Sequence, residues 1–187
     1  MTMLEEISRF QPGCAQEATD QAVMADFLRT HPDAFSRENP VGHVTVSAWV
    51  LDRAHQRVAM AYHNIYRSWS WIGGHADGEE DLRSAILREI REEIGVKEVR
   101  LVTPEIFSLE TLAVSAHVKR GEYVPSHLHF NVTFLAEAGE EALHRKPDEN
   151  SAVGWFTPEE ALSASTEPWM VEHVYRKLIG RAAPYMR

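Results

Sequence analysis

Glu89, Glu92 and Glu93 stand at i, i+3 and i+4, a spacing that puts three carboxylates on one face of a helix. Like charges held together repel unless a cation neutralises them. An all-oxygen set of high charge favours a hard divalent ion, Mg²⁺ or Mn²⁺, over zinc. The trio lies in the stretch GGHADGEEDLRSAILREIREEIGV, Gly73 to Val96. Its opening glycine pair lets backbone approach a ligand closely. Glu80 precedes the trio, and Ile86, Ile90 and Ile94 repeat every four residues as an apolar anchor. The charges alone would suit a solvated helix equally well, with surface pairs worth a few tenths of a kcal/mol each, on the order given for exposed ion pairs.

Other residues could add to such a site. His75 and Asp77 sit between the glycine pair and Glu80, and Asp77-Gly78 also suits a plain turn. Tyr62 to Trp71 carries four aromatic residues; Trp71 reads as core, while Trp69 and Tyr66 are free to stack on a planar ligand group. His127, His129, Asn131 and Thr133 alternate with Leu128, Phe130, Val132 and Phe134. A strand there has one polar face, either solvated or lining a pocket for phosphate, polar substrate groups or a second metal. The Lys146–Asn150 turn offers Glu149 as a distal ligand or base, or nothing beyond a polar turn. Lys119-Arg120-Gly121 reads as a strand connection.

These residues need a scaffold. Gln16–Thr30 has helical apolar spacing and His31-Pro32 to stop it, so residues 1–40 read as an N-terminal helical extension and 41–187 as the main domain. Val44–Leu51 and Arg57–His63 alternate as a strand pair around a polar turn, and 64–78 reads as a loop. Glu79–Ile94 lacks Gly and Pro and reads as a helix stopped by Gly95. Strands are expected at Val99–Val102, Ile106–Val118 and His127–Ala136. Thr157-Pro158 marks a helix start, and Glu167–Ile179 reads as a closing helix. The class is α+β.

The 187 residues carry 19 basic and 28 acidic side chains, net −9. That balance argues against a nucleic-acid polymer as partner, leaving a small anion carried in with a divalent cation. A chain this long buries roughly 70% of its unfolded surface. No apolar run approaches a membrane span, no secretory signal is readable, and one cysteine, Cys14, allows no intrachain disulfide. A cytoplasmic location is the expectation.

The full spacing resembles that of the Nudix hydrolases: Gly74, five residues, Glu80, seven residues, Arg88-Glu89, Ile90, Arg91, Glu92-Glu93, Ile94, Gly95 and Val96. Seven fixed positions at ordinary usage agree by chance on the order of once in 10⁸ starts or less. The resemblance implies an α/β/α sandwich with a mixed sheet, here with the N-terminal helical extension added. By residue it implies Glu89, Glu92 and Glu93 as metal ligands for Mg²⁺ or Mn²⁺, with the Gly74 (or Gly73) carbonyl as a further ligand. Glu89 is the position most often credited as base, Arg88 orients it, and Glu80 braces the helix. The implied activity is hydrolysis of a small diphosphate, such as a nucleoside diphosphate linked to another moiety. The alternative is a nucleotide-binding module of the same fold without turnover. His75, Trp69, His127 and His129 are then candidates for substrate contact. A diphosphate isomerase of this fold needs a core cysteine, which Cys14 does not supply. Family members are commonly homodimers, and no membrane partner is implied.

Overall fold

The computed structural model describes residues 1–119, 121–139, 143–146 and 150–187. In chain order the elements are α1 (Met3–Arg9), α2 (Ala15–Thr30), β1 (Gly42–Asp52), β2 (Val58–His63), β3 (Ser68–Ser70), β4 (Ile72–His75), α3 (Leu82–Ile94), β5 (Val99–Leu101), β6 (Ser108–Val114), β7 (His117–Lys119), β8 (Glu122–Val124), β9 (His127–Ala138), β10 (Asn150–Phe156), α4 (Pro158–Ala164), α5 (Pro168–Met170) and α6 (Arg176–Ala182). A π-helical turn at Val171–Tyr175 joins the last two. Among the described residues no helix is long and apolar enough to cross a membrane.

The alternating sequence of β1 predicts a half-buried strand, yet every residue of it is buried. The reason is its central place: the sheet order is β10-β2-β1-β9-β5, with β3 on β2, β4 on β1 and β6 on β9. β1 runs parallel to β9 through Gly42–Asp52 against Leu128–Ala138, while its pairings with β2 and β4 are antiparallel, so the sheet is mixed. β1 meets β2 only at Leu51 and Val58, because β4 occupies the same edge from Thr45 to Ala48. β2 instead turns to β3 and β10. The sheet therefore forks, and the fork positions the site.

Apolar side chains fill both faces. Val44, Val46, Phe130 and Val132 pack with Ile86, Ile90 and Ile94 of α3 and with Met3, Ile7, Met24 and Phe27 of α1 and α2. Trp49, Leu51, Met60 and Leu135 pack with Val174, Tyr175 and Leu178. The expected α/β/α sandwich is what forms.

Several boundaries differ from the sequence reading for local reasons. Helix α3 begins at Leu82, since the Asp81 carboxylate accepts from the Arg83 and Ser84 backbone N–H groups and so caps it; Glu79 and Glu80 stay outside the helix. Gly95 ends it at φ 72°, as expected. The loop expected over 64–78 contains β3 and β4, whose three and four residues are too few to show a period. The long strand expected at Ile106–Val118 ends at Val114. The closing helix extends to Ala182 and contains the π turn.

α2 docks through charge as well as apolar contact. The fully buried Glu17 carboxylate lies 3.6 Å from Lys177 Nζ and 3.2 Å from Arg181 Nη2. Glu110, also fully buried, lies 3.0 Å from the same ammonium. Removing one partner of a buried ion pair leaves uncompensated charge and costs about 3 kcal/mol or more. Lys177→Met should therefore lower the urea midpoint by that free energy without altering the slope of the transition. An unchanged midpoint would show that Arg181 suffices for both carboxylates.

Candidate active site

Strand β4 passes between β1 and α3 with no room for side chains at its glycines. A β-carbon on Gly73 would stand 2.4 Å from the Val46 carbonyl oxygen, and one on Gly74 would stand 2.7 Å from the Glu89 carboxylate. Glu89 is thus laid against the strand backbone, its side chain 14% exposed. One helical turn on, Glu93 is buried and Glu92 is exposed. Arg88 ties this face together: it bonds the Glu79 carboxylate and lies 3.5 Å from Glu89 Oε1 and 3.9 Å from Glu92 Oε1. Lys146 reaches Glu92 Oε2 at 3.3 Å. These partly exposed pairs are weak as stability terms; their effect is to orient carboxylates and offset their repulsion.

At the fork of the sheet a cleft of about 760 Å³ opens. Glu89, Glu92, Glu93, Arg88 and Lys146 line one side, and Tyr66, Trp71, Met170 and Tyr175 line another part of its wall. Glu167 also faces it; burial pushes its carboxyl pKa up, and its Oε2 lies 3.5 Å from the Ser70 hydroxyl. Arg37, from the segment before β1, pairs with Asp77 at the rim, and that hydrogen bond holds the Asp77 pKa down. Asp77 and Gly78 have φ of 52° and 87°, so the turn reading of this pair holds.

The polar face of β9 divides into two regions. Towards its middle, Asn131 Oδ1 accepts from Thr45 (3.0 Å) and Ser47 (2.8 Å), and its amide donates to Glu110 at 3.0 Å. Thr133 donates to the same carboxylate at 2.7 Å. At its start, His129 packs with His43 and His75 at ring separations of 4.9 to 5.1 Å, and His127 Nε2 lies 3.2 Å from His129 Nε2. Burial first, then the charge of His127, holds the His43 pKa down at about 4. Burial first, then His75 and His43, holds His129 at about 2.

Of the residues singled out by sequence, the structure brings Gly74, His75, Arg88, Glu89, Glu92, Glu93 and His129 to one cleft. Trp69 is packed elsewhere, edge-on against Phe156 and Tyr62, and Trp71 packs against the core cluster beside Tyr175, as expected, while also standing on the cleft wall. His127 is not among the cleft-lining residues; its ring stacks on His43 at 5.0 Å and its Nε2 lies 3.2 Å from that of His129. Glu79, not Glu80, is the carboxylate that reaches Arg88. Glu149 and Arg120 lie outside the described residues. Sequence reasoning missed Arg37, His43, Glu167 and the Lys146 contact, all brought in from distant segments. Only His43 carried a signal, its place on the polar side of the alternation in β1 beside Thr45 and Ser47.

A sequence profile of the NUDIX domain matches residues 41–178. No curated protein gives a significant match. Among solved structures the chain is similar to a NUDIX-family hydrolase from Clostridium perfringens (TM-score 0.52, 21% identity, covering 73% of this chain and 95% of that one). It is similar to an Ap4A hydrolase from C. elegans (TM-score 0.55, 18% identity, 75% and 98%). It is also similar to a MutT protein from Methanosarcina mazei (TM-score 0.56, 15% identity, 80% and 99%). These identities speak for the fold.

Two outcomes follow from this geometry. Gly73→Ala meets backbone, so it should cost about 2 kcal/mol by overpacking and lower the melting temperature, whereas Gly74→Ala meets only a side-chain end and should melt close to the parent. The reverse order in a thermal scan would contradict the packing described. The second concerns protons. Unfolded histidines take up protons near pH 6.5, but native His43 and His129 do so only near pH 4 and 2. The unfolded state thus binds more protons in this window, and stability must fall as pH drops from about 6.5 toward 4. In chelator-treated protein His129→Asn should flatten that fall; an unaltered pH dependence in urea titrations would contradict it.

Proposed function

The chain belongs to the Nudix hydrolase family, and from that premise we propose that it hydrolyses a diphosphate bond in a small molecule, using a divalent ion held by Glu89, Glu92 and Glu93. The observation that carries this reading is the Glu89 carboxylate seated on the Gly74 backbone in a cleft shared with Glu92, Glu93, Arg88 and Lys146.

The donor set fits such an ion. Carboxylates on one helix face, beside a backbone carbonyl at Gly74, are hard oxygen ligands suited to Mg²⁺ or Mn²⁺. Arg88 and Lys146 offset their charge. When bound, the ion supplies neutralisation of the diphosphate charge and a lowered pKa for its bound water. Within the chain, Arg88 orients Glu89 and Glu92. Glu89, against the Gly74 backbone and beside Arg88, would take the proton of the attacking water. As that oxygen bonds to phosphorus, the bridging P–O bond breaks and its electrons leave with the second phosphate. The products are a monophosphate and a second phosphorylated fragment.

Tyr66, Trp71 and Tyr175 on the cleft wall suit a planar group stacked beyond the phosphates. That supports a nucleoside moiety, as does the likeness in fold to a protein named an Ap4A hydrolase.

A panel of normal and oxidised nucleoside triphosphates, ADP-ribose, dinucleoside polyphosphates and non-nucleotide diphosphates, assayed with Mg²⁺ or Mn²⁺ for phosphate products, tests the proposal. At least one class should turn over, and Glu92→Gln and Glu93→Gln should each reduce the rate by about 10²-fold or more with an unchanged circular dichroism spectrum. Nucleotide binding without turnover of any member would make the chain a binding module instead.

A further inference from the structure

His43, His75 and His129 each present a ring nitrogen, and these three atoms lie within 4.8 Å of one another; among the described residues no other trio of potential metal ligands is gathered this closely. Three neighbouring strands supply them. His43 of β1 faces His129 of β9 in parallel register, and His75 of β4 lies opposite Thr45 of β1. Side chains alternate along a strand, so His75 projects from the face of β4 opposite to the one on which Gly74 makes room for Glu89. The histidines and the carboxylates thus belong to opposite faces of one strand.

His43 is the residue that calls for a ligand. It is 3% exposed, and its ring nitrogens make no well-formed hydrogen bond, the Asn39 backbone being a loose partner. Leaving such a group unsatisfied costs about 1–3 kcal/mol. An anion does not resolve this. Three imidazolium rings gathered within ring contact of one another would repel, so the packing favours neutral rings, which offer lone pairs and not positive charge. Neutral imidazole lone pairs are what a borderline metal ion takes.

We propose that His43, His75 and His129 bind a divalent ion of the zinc class, distinct from the ion of the carboxylate face, with its open coordination position turned to the cleft that His75 and His129 line. Three imidazoles select zinc or a neighbouring late first-row ion over Mg²⁺, just as the carboxylates select the reverse. Nitrogens on a tetrahedral zinc stand roughly 3.3–3.5 Å apart, so modest side-chain rotation closes the set. His127 is a positioning residue. Its Nδ1 lies 2.8 Å from the Pro125 carbonyl and donates to it. In the neutral ring Nε2 is then an acceptor for His129 Nε2–H, 3.2 Å away. That arrangement leaves His129 Nδ1 as its lone pair, the outer-sphere orientation usual for ligating histidines. The open position would take a water or a substrate oxygen.

The test reads metal and not turnover, so it stands whether or not the chain hydrolyses any member of the substrate panel. Chelator-treated full chain is titrated with Zn²⁺ by calorimetry and with Co²⁺ by visible absorption, both in excess Mg²⁺ to fill the carboxylate face. One equivalent of Zn²⁺ should bind, with cobalt d–d bands of a nitrogen-ligated site. Both should survive Glu92→Gln with Glu93→Gln. His129→Ala and the half-buried His75→Ala should each weaken Zn²⁺ at least tenfold; the second site is the less demanding one for folding, and circular dichroism checks both. His127→Ala should weaken Zn²⁺ less than either, with the cobalt bands shifted. Absence of stoichiometric Zn²⁺ binding, or binding that follows the glutamates and ignores the histidines, overturns the proposal.

Discussion

Strand β4 has to fit between β1 and α3, and the rest of the site depends on how closely it does so. With Gly73 against the Val46 carbonyl and Gly74 against the Glu89 carboxylate, helix α3 sits low enough on the sheet for Ile86, Ile90 and Ile94 to be fully buried. The same closeness fixes Glu89 laterally: a side chain wedged on backbone has few rotamers left. Because β4 takes the edge of β1 that β2 would otherwise hold, the glycine strand also opens the fork. Packing, carboxylate placement and the cleft are three consequences of one tight contact.

The interior of this sheet is polar on one side, which is costly unless each group is satisfied. Asn131 solves most of it, accepting from Thr45 and Ser47 and donating to Glu110. Glu110 in turn is balanced by Lys177, which also balances Glu17 of α2. The N-terminal helices are therefore bound into the charge balance of the domain as well as into its core. The network does not extend to His43, whose ring nitrogens lack a well-formed partner, as do a few other buried groups such as Thr111 Oγ1 and Trp49 Nε1.

Legibility followed locality. The helix carrying Glu89, Glu92 and Glu93 was readable because its period, its stop at Gly95 and its chemistry all lie within one short stretch. α1 also had a local signal: Thr2 and Glu5 form a reciprocal capping box, which the sequence displays as Thr-x-x-Glu. β3 and β4 were not readable, since strands of three or four residues show no alternation and exist through pairing with distant partners. Glu17 belongs to this second class: its helix was visible, but a carboxylate at its buried face makes sense only beside Lys177 and Arg181, some 160 residues later. For the same reason the sequence did not show that Trp69 packs against the core as Trp71 does. Trp71 stands in the break between β3 and β4, so its direction is set by contact with Tyr175 and that of Trp69 by Phe156.

Charge explains how an acidic chain, net −9, tolerates a cleft lined by several carboxylates. The carboxylates of α3 are not gathered into a cluster, and two of them lean on cations: Glu89 on Arg88, and Glu92 on Arg88 and Lys146. That spreading is what mutual repulsion dictates when side-chain cations alone do the neutralising. The histidines, by contrast, are drawn together, because neutral rings stack without repulsion and burial lowers the pKa of His43 and His129. One strand thus separates a dispersed set of hard, charged donors from a gathered set of neutral ones. Side-chain charge, more than the number of groups, distinguishes the gathered set from the dispersed one.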